Sequence, residues 1–144
     1  MRQITVLYVE DHDLVLFTVK QLLELEGWRV QICRDGADAG KQLSGEDPFD
    51  LIILDAELPS VSGFELIRHA RALTHRRTTP IIMFTARDHG DEATAAGAVA
   101  CLKKPGGIKD LLATCYHVLQ LEPGQESEPD GARRAANWGG NTVH

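Results

Sequence analysis

The sequence predicts an α/β domain, a parallel sheet with helices on both faces. Three observations carry that expectation. Short aliphatic runs alternate five times with segments of helical periodicity, the order a parallel sheet requires. One run, Leu51-Ile52-Ile53-Leu54, lies between Asp50 and Asp55; it is too short for a helix and lacks period-two alternation. That is the pattern of a strand buried on both faces. Finally, four of the runs end in reactive side chains, where open α/β sheets bind their ligands.

In chain order, residues 4–9 form the first strand. Asp13 is expected to cap a helix that turns Val15, Val19, Leu22 and Leu23 inward, and Gly27 ends it in a left-handed conformation. Residues 28–33 form the second strand, and Asp35-Gly36 leads into a weak helix through Leu43. After the third strand and Pro59, Ser62 and Glu65 have capping-box spacing before a helix carrying Phe64, Ile67 and Ala70 inward. The basic stretch from His75 to Pro80 reads as a solvated loop, Arg76 and Arg77 included. Residues 81–84 are the fourth strand, residues 88–97 a short Ala- and Gly-rich helix, and residues 98–102 the fifth strand. Ile108, Leu111, Leu112, Cys115 and Leu119 put an apolar stripe on a last helix.

Length and composition narrow the function classes. A chain of 144 residues with 43% hydrophobic residues fits one domain, residues 1–121, with residues 122–144 as a tail of disordered composition. A net charge of −6 argues against direct DNA binding. No stretch approaches a membrane span and no signal peptide opens the chain, so a cytoplasmic location is expected. Cys33, Cys101 and Cys115 lack metal-ligand spacing and read as buried free thiols. His12, His69, His75, His89, His117 and His144 read as ordinary solvated side chains.

The strand ends hold the chemistry. Glu10 and Asp11 follow the first strand, Asp55 the third, Thr85 the fourth and Lys104 the fifth. Three acids gathered at one edge would repel and raise each other's pKa, and either a hard divalent cation or the Lys104 ammonium relieves this. Mg²⁺ suits one or two carboxylates with waters and a phosphate. Asp55 is then a candidate nucleophile that takes up a phosphoryl group as an acyl phosphate. Lys104 and the Thr85 hydroxyl would neutralise or hydrogen-bond its oxygens.

These residues, with Pro59 and Gly63 behind Asp55, Ala86 after Thr85 and Pro105 after Lys104, make the chain resemble a response-regulator receiver domain of two-component signalling, of the chemotaxis-regulator kind, over residues 3–121. The resemblance implies a flavodoxin-like, doubly wound five-stranded sheet of order 2-1-3-4-5. It implies that Asp55 accepts a phosphoryl group from a sensor histidine kinase or a histidine phosphotransfer protein. Mg²⁺ would be held by Asp11, Asp55 and the Glu57 backbone carbonyl, with Glu10 acting through water. Output would pass to an effector protein, and dimerisation is left open. In receivers the places held here by Glu57 and Arg87 flank the path of the attacking water. The two side chains are expected either to meet across the site and slow hydrolysis, or to point into solvent.

Two departures stand out. Cys101 occupies the place of the aromatic residue that receivers use as half of their switch, and the fourth helix is about one turn short of the family's habit. They favour an alternative, an interaction module independent of phosphorylation. A haloacid-dehalogenase-like phosphatase is a weaker rival, because the place of its second Asp holds Glu57.

Overall fold

A computed structural model describes residues 3–121; the expected tail lies outside the described residues. Strands β1 (Thr5–Val9), β2 (Arg29–Cys33), β3 (Leu51–Leu54), β4 (Ile81–Thr85) and β5 (Ala100–Lys103) form one parallel sheet in the order β2-β1-β3-β4-β5. Helices α1 (Asp13–Glu24), α2 (Gly36–Ser44), α3 (Gly63–Ala72), α4 (Gly90–Ala96) and α5 (Ile108–Leu119) connect them or close the fold. This is the predicted architecture and strand order.

Alternation along the strands divides the core. Leu7, Val9, Ile52, Leu54, Ile81 and Met83 face α2, α3 and α4. Val6, Tyr8, Leu51, Ile53, Ile82 and Phe84 face α1 and α5. All four residues of β3 are buried, as a strand covered on both faces must be.

Local chemistry sets the helix starts. Asp35 caps α2 by accepting the Asp38 N–H at 2.8 Å. At α3 both arms of the capping box form, with Glu65 N–H donating to Ser62 Oγ and Ser62 N–H to Glu65 Oε1, each at 3.2 Å. Gly27 has φ +85°, the left-handed conformation expected after α1.

Several expectations are corrected. Asp13 does not cap α1; His12 holds the cap position without a side-chain bond, and Asp13 lies in the first turn, paired with Arg34. The buried stripe of α1 is Leu16, Val19 and Leu23, with Val15 and Leu22 flanking it half-buried. On α3, Leu66 joins Ile67 and Ala70 in the core while Phe64 is half-buried. On α5 the buried residues are Leu111, Cys115 and Tyr116, with Ile108, Leu112 and Leu119 packed at the margin. Trp28 and Ala98 are buried but precede their strands. Cys101 is half-buried, whereas Cys33 and Cys115 are buried.

The largest correction is Arg76, expected in solvent and only 2% exposed. A short 3-10 turn over Thr74–Arg76 points its guanidinium under α2. There it donates to the carbonyls of Leu43, Gln42 and Gly45 and lies 4.6 Å above the Phe49 ring. The end of a helix supplies unpaired carbonyls, and a buried cation is the natural partner for them.

Candidate functional site

The sheet register builds the site. Val9 pairs with Leu54 across β1 and β3, and the next residues continue the ladder through Asp55 N–H to Val9 O at 3.2 Å and Glu10 N–H to Cys33 O at 3.0 Å. Glu10 and Asp55 therefore emerge side by side where the strands end. On the other flank, Thr85 closes β4 and its carbonyl accepts the Lys104 N–H at 2.8 Å. The sheet thus brings Glu10, Asp11, Asp55 and Lys104 together at its edge, with Thr85 joined to Lys104 through the backbone.

Glu10, Asp11 and Asp55 offer carboxylate oxygens that all lie within 4.8 Å of one another. Lys104 reaches between two of them, its Nζ donating to Glu10 Oε1 at 2.7 Å and to Asp55 Oδ2 at 3.1 Å. The Lys104 side chain is 10% exposed, and those of Glu10 and Asp55 are 1% and 11%. Removing one member of such a buried pair typically costs ~3–5 kcal/mol, because the partner charge is stranded. Burial lifts the Glu10 carboxyl above the ordinary glutamate range, against the pull of Lys104, and the Asp55 charge adds to the rise. Desolvation rather than mutual repulsion is therefore the leading cause, a refinement of the expectation from charge clustering.

The backbone and a tyrosine complete the frame. The Glu57 N–H donates to Asp55 Oδ1 at 3.2 Å, and the His12 N–H to Glu10 Oε2 at 3.3 Å. Beneath Glu10, the buried Tyr8 hydroxyl lies at hydrogen-bond range, 3.5 Å from Oε1. Burial, then the Glu10 charge, pushes the Tyr8 phenol well up. Gly63 is needed behind Asp55: a Cβ there would lie 2.1 Å from the Asp55 carbonyl oxygen. The Thr85 hydroxyl oxygen is buried without a hydrogen-bond partner. An orphaned hydroxyl, a fixed ammonium and clustered carboxylates together suit a divalent cation and an anionic oxygen group.

At the mouth, Arg87 Nε lies 3.0 Å from Glu57 Oε2, so the two side chains meet rather than diverge into solvent. His89 is corrected from a solvated residue to a half-buried one. Its Nε2 is 3.8 Å from Glu57 Oε2, its Nδ1 is 3.3 Å from Glu92 Oε1, and its ring packs edge-on against Phe64. Tyr8 and His89 are the neighbours that sequence reasoning missed. Tyr8 lies inside the first apolar run, where nothing in the sequence sets it apart from its neighbours. For His89 the only signal was Glu92 three residues on, at the head of a helix.

Comparison with known proteins decides the family. The response regulator receiver domain matches residues 6–116. This chain belongs to that family. Receiver domains are phosphoacceptor switches of two-component signalling rather than turnover enzymes. The response regulator ArlR of Staphylococcus epidermidis is 36% identical over 124 residues, covering 84% of this chain and 55% of that protein. The chemotaxis response regulator CheY4 of Vibrio cholerae has 31% identity and a TM-score of 0.75, covering 81% of this chain and 99% of that structure. The receiver domain of sensor histidine kinase PA1611 from Pseudomonas aeruginosa PAO1, with a magnesium ion coordinated in its active-site cleft, has 26% identity and a TM-score of 0.74 over 82% of this chain and 98% of its own. The chain spans about half the length of the curated regulators it matches first. Among the described residues of this receiver domain, no helix is long and apolar enough to cross a membrane.

Proposed function

We propose that Asp55 accepts a phosphoryl group from the phosphohistidine of a sensor histidine kinase or histidine phosphotransfer protein, in the presence of Mg²⁺. The observation that carries this reading is the seat of Lys104, bonded to both Glu10 and Asp55, while its backbone N–H is bonded to the carbonyl of Thr85, whose hydroxyl is buried and unpartnered. An ammonium and a free hydroxyl at a nucleophilic carboxylate are what a phosphoryl group needs from a protein. In the transfer an Asp55 carboxylate oxygen bonds to phosphorus as the nitrogen–phosphorus bond of the donor breaks, and the imidazole leaves to take a proton. Asp11, Asp55 and the Glu57 carbonyl would hold the metal, with Glu10 acting through water. The metal supplies positive charge against the phosphoryl oxygens. Lys104, released from part of its pairing, turns to one such oxygen, and Thr85 donates to another.

The donor must bring its histidine to this edge. Helix α1 starts beside Asp11 and exposes Leu14 and Phe17, which are 72% and 57% accessible. Apolar surface next to the acids fits a protein partner rather than a small-molecule substrate. Output then passes by contact with an effector protein, and a net charge of −6 suits that route better than direct DNA binding.

Asp11 provides the test, because it is exposed and its loss relieves clustered charge. Asp11→Ala should weaken Mg²⁺ binding by calorimetry and stop phosphate incorporation, with the melting temperature equal to or above wild type. Normal phosphorylation in this variant would contradict the metal assignment. The alternative of a phosphorylation-independent interaction module draws on Cys101 and on an α4 of only seven residues. A wild-type chain that takes up no phosphate from any donor would favour it.

A further inference from the structure

We propose that His89 is a positioning residue of this site: its ring offers the Glu57 carboxylate a second, buried seat, and through Glu57 it holds the loop that donates to Asp55. This rests on the phosphoacceptor reading above. Glu57 has two attachments. Its backbone N–H donates to Asp55 Oδ1, while its carboxylate lies between Arg87 Nε at 3.0 Å and His89 Nε2 at 3.8 Å.

The two neighbours differ in kind. The Arg87 side chain is 70% exposed, so its pair with Glu57 is screened and weakly held. The His89 side chain is 19% exposed, with Phe64 and Glu92 against it and its backbone held as well. Its ring meets Phe64 of α3 edge-on, with centroids 5.2 Å apart and planes at 87°. Its Nδ1 faces Glu92 in the first turn of α4, and its backbone N–H lies against the Cys101 thiol of β5. His89 Nε2 is nonetheless buried without a hydrogen-bond partner. A buried nitrogen in that state gains most from a nearby acceptor, and the Glu57 carboxylate is the acceptor at hand.

Phosphorylation would move Glu57 from one seat to the other. Phosphoryl oxygens on Asp55 compete for the Arg87 guanidinium, whose planar fork suits them. Glu57 then closes on His89 Nε2. Drawing Nε2 toward Glu57 turns the ring and loosens the approach of its Nδ1 to Glu92, now at 3.3 Å. The exchange ties the chemistry at Asp55 to the start of α4, which Cys101 cannot do by swinging a ring.

Hydrogen exchange of the Glu57 amide in the full chain kept phosphorylated by excess phosphodonor, and the hydrolysis rate once the donor is removed, test this together. His89→Ala should speed exchange at Glu57 about fivefold, the loss of one modest hydrogen bond, and should change the hydrolysis rate. His89→Gln, which keeps a donor near Nε2, should restore both, and amides of α1 should stay unchanged in each variant. Adding His89→Ala to Glu57→Ala should leave hydrolysis where Glu57→Ala alone puts it. Unaltered Glu57 exchange in His89→Ala, or independent effects of the two substitutions, overturns the proposal. A wild type that takes up no phosphate defeats the phosphoacceptor reading and this proposal with it, whereas a chain that is phosphorylated normally yet shows no His89 effect defeats the proposal alone.

Discussion

At Arg76 a guanidinium with 2% exposure donates to three backbone carbonyls at the end of α2 and covers the Phe49 ring. Removing it leaves those carbonyls buried and unmatched and opens a void. Arg76→Ala should therefore lower stability in urea by about 2–4 kcal/mol, the cost of stranded buried polar groups. A loss below about 0.5 kcal/mol, the range of ordinary surface changes, would contradict the burial. The cysteines differ among themselves in a measurable way. Burial, then the charge of Asp38, pushes the Cys33 thiol up to about 12, and burial drives Cys115 further. Cys101 is also raised by burial, but the His89 backbone N–H opposes the rise. Alkylation of the native protein at pH 8 should reach Cys101 first and spare the other two; in urea all three should react alike. The folded Cys33 pKa lies above its ordinary value of 9.0. Its contribution to stability is thus complete below pH 9 and is lost as pH rises toward 12. Native Cys115 reacting as fast as Cys101 would show that α5 opens from the sheet.

The connecting elements reveal how far local rules reach. The Ser62–Glu65 capping box was legible because both partners lie within one turn, and Gly27 because its left-handed φ is a local demand. Asp13 misled because a cap and a first-turn acid differ by one position and both favour the same residue. Arg76 was illegible: its carbonyl partners come from the last turn of α2 and the Gly45 that follows it, some 31 to 34 residues earlier, and no local pattern marks an arginine as buried. Trp28 and Ala98 were assigned to strands because burial and strand pairing look alike in an apolar run. Gly63 marks where an element meets the site. A Cβ there would fall 2.1 Å from Asp55 O and 2.9 Å from Ala56 Cα, so the β3–α3 loop must move. Gly63→Ala should cost about 1–3 kcal/mol, as overpacking against backbone does, and should slow phosphate uptake by more than the stability loss explains. Thermal melting and phosphorylation rates read side by side check this. Normal uptake with normal melting would mean the loop yields without disturbing Asp55.

Across the whole molecule, the strand order and the site share one cause. Parallel βαβ units bring every strand's carboxyl end to the same edge, so reactive residues following separate runs meet whatever their distance in sequence. That is why Glu10, Asp11, Asp55, Thr85 and Lys104 were legible together. Tyr8 and His89 were not, because their relation to the site depends on which way a buried ring points. Residues 122–144 lie outside the described residues, and their Pro, Gly, Ser and acidic content offers little apolar area to offset chain entropy. Deleting residues 123–144 should leave melting and phosphorylation unchanged; a large fall in either would show that Trp138 packs on the domain. The central claim is most directly tested by the intact mass of the protein after incubation with a small-molecule phosphodonor and Mg²⁺. Wild type should gain a single phosphoryl group, labile to base and to hydroxylamine, and Asp55→Asn should gain none. A wild type left unmodified, or an Asp55→Asn variant that still takes up the group, would contradict the account.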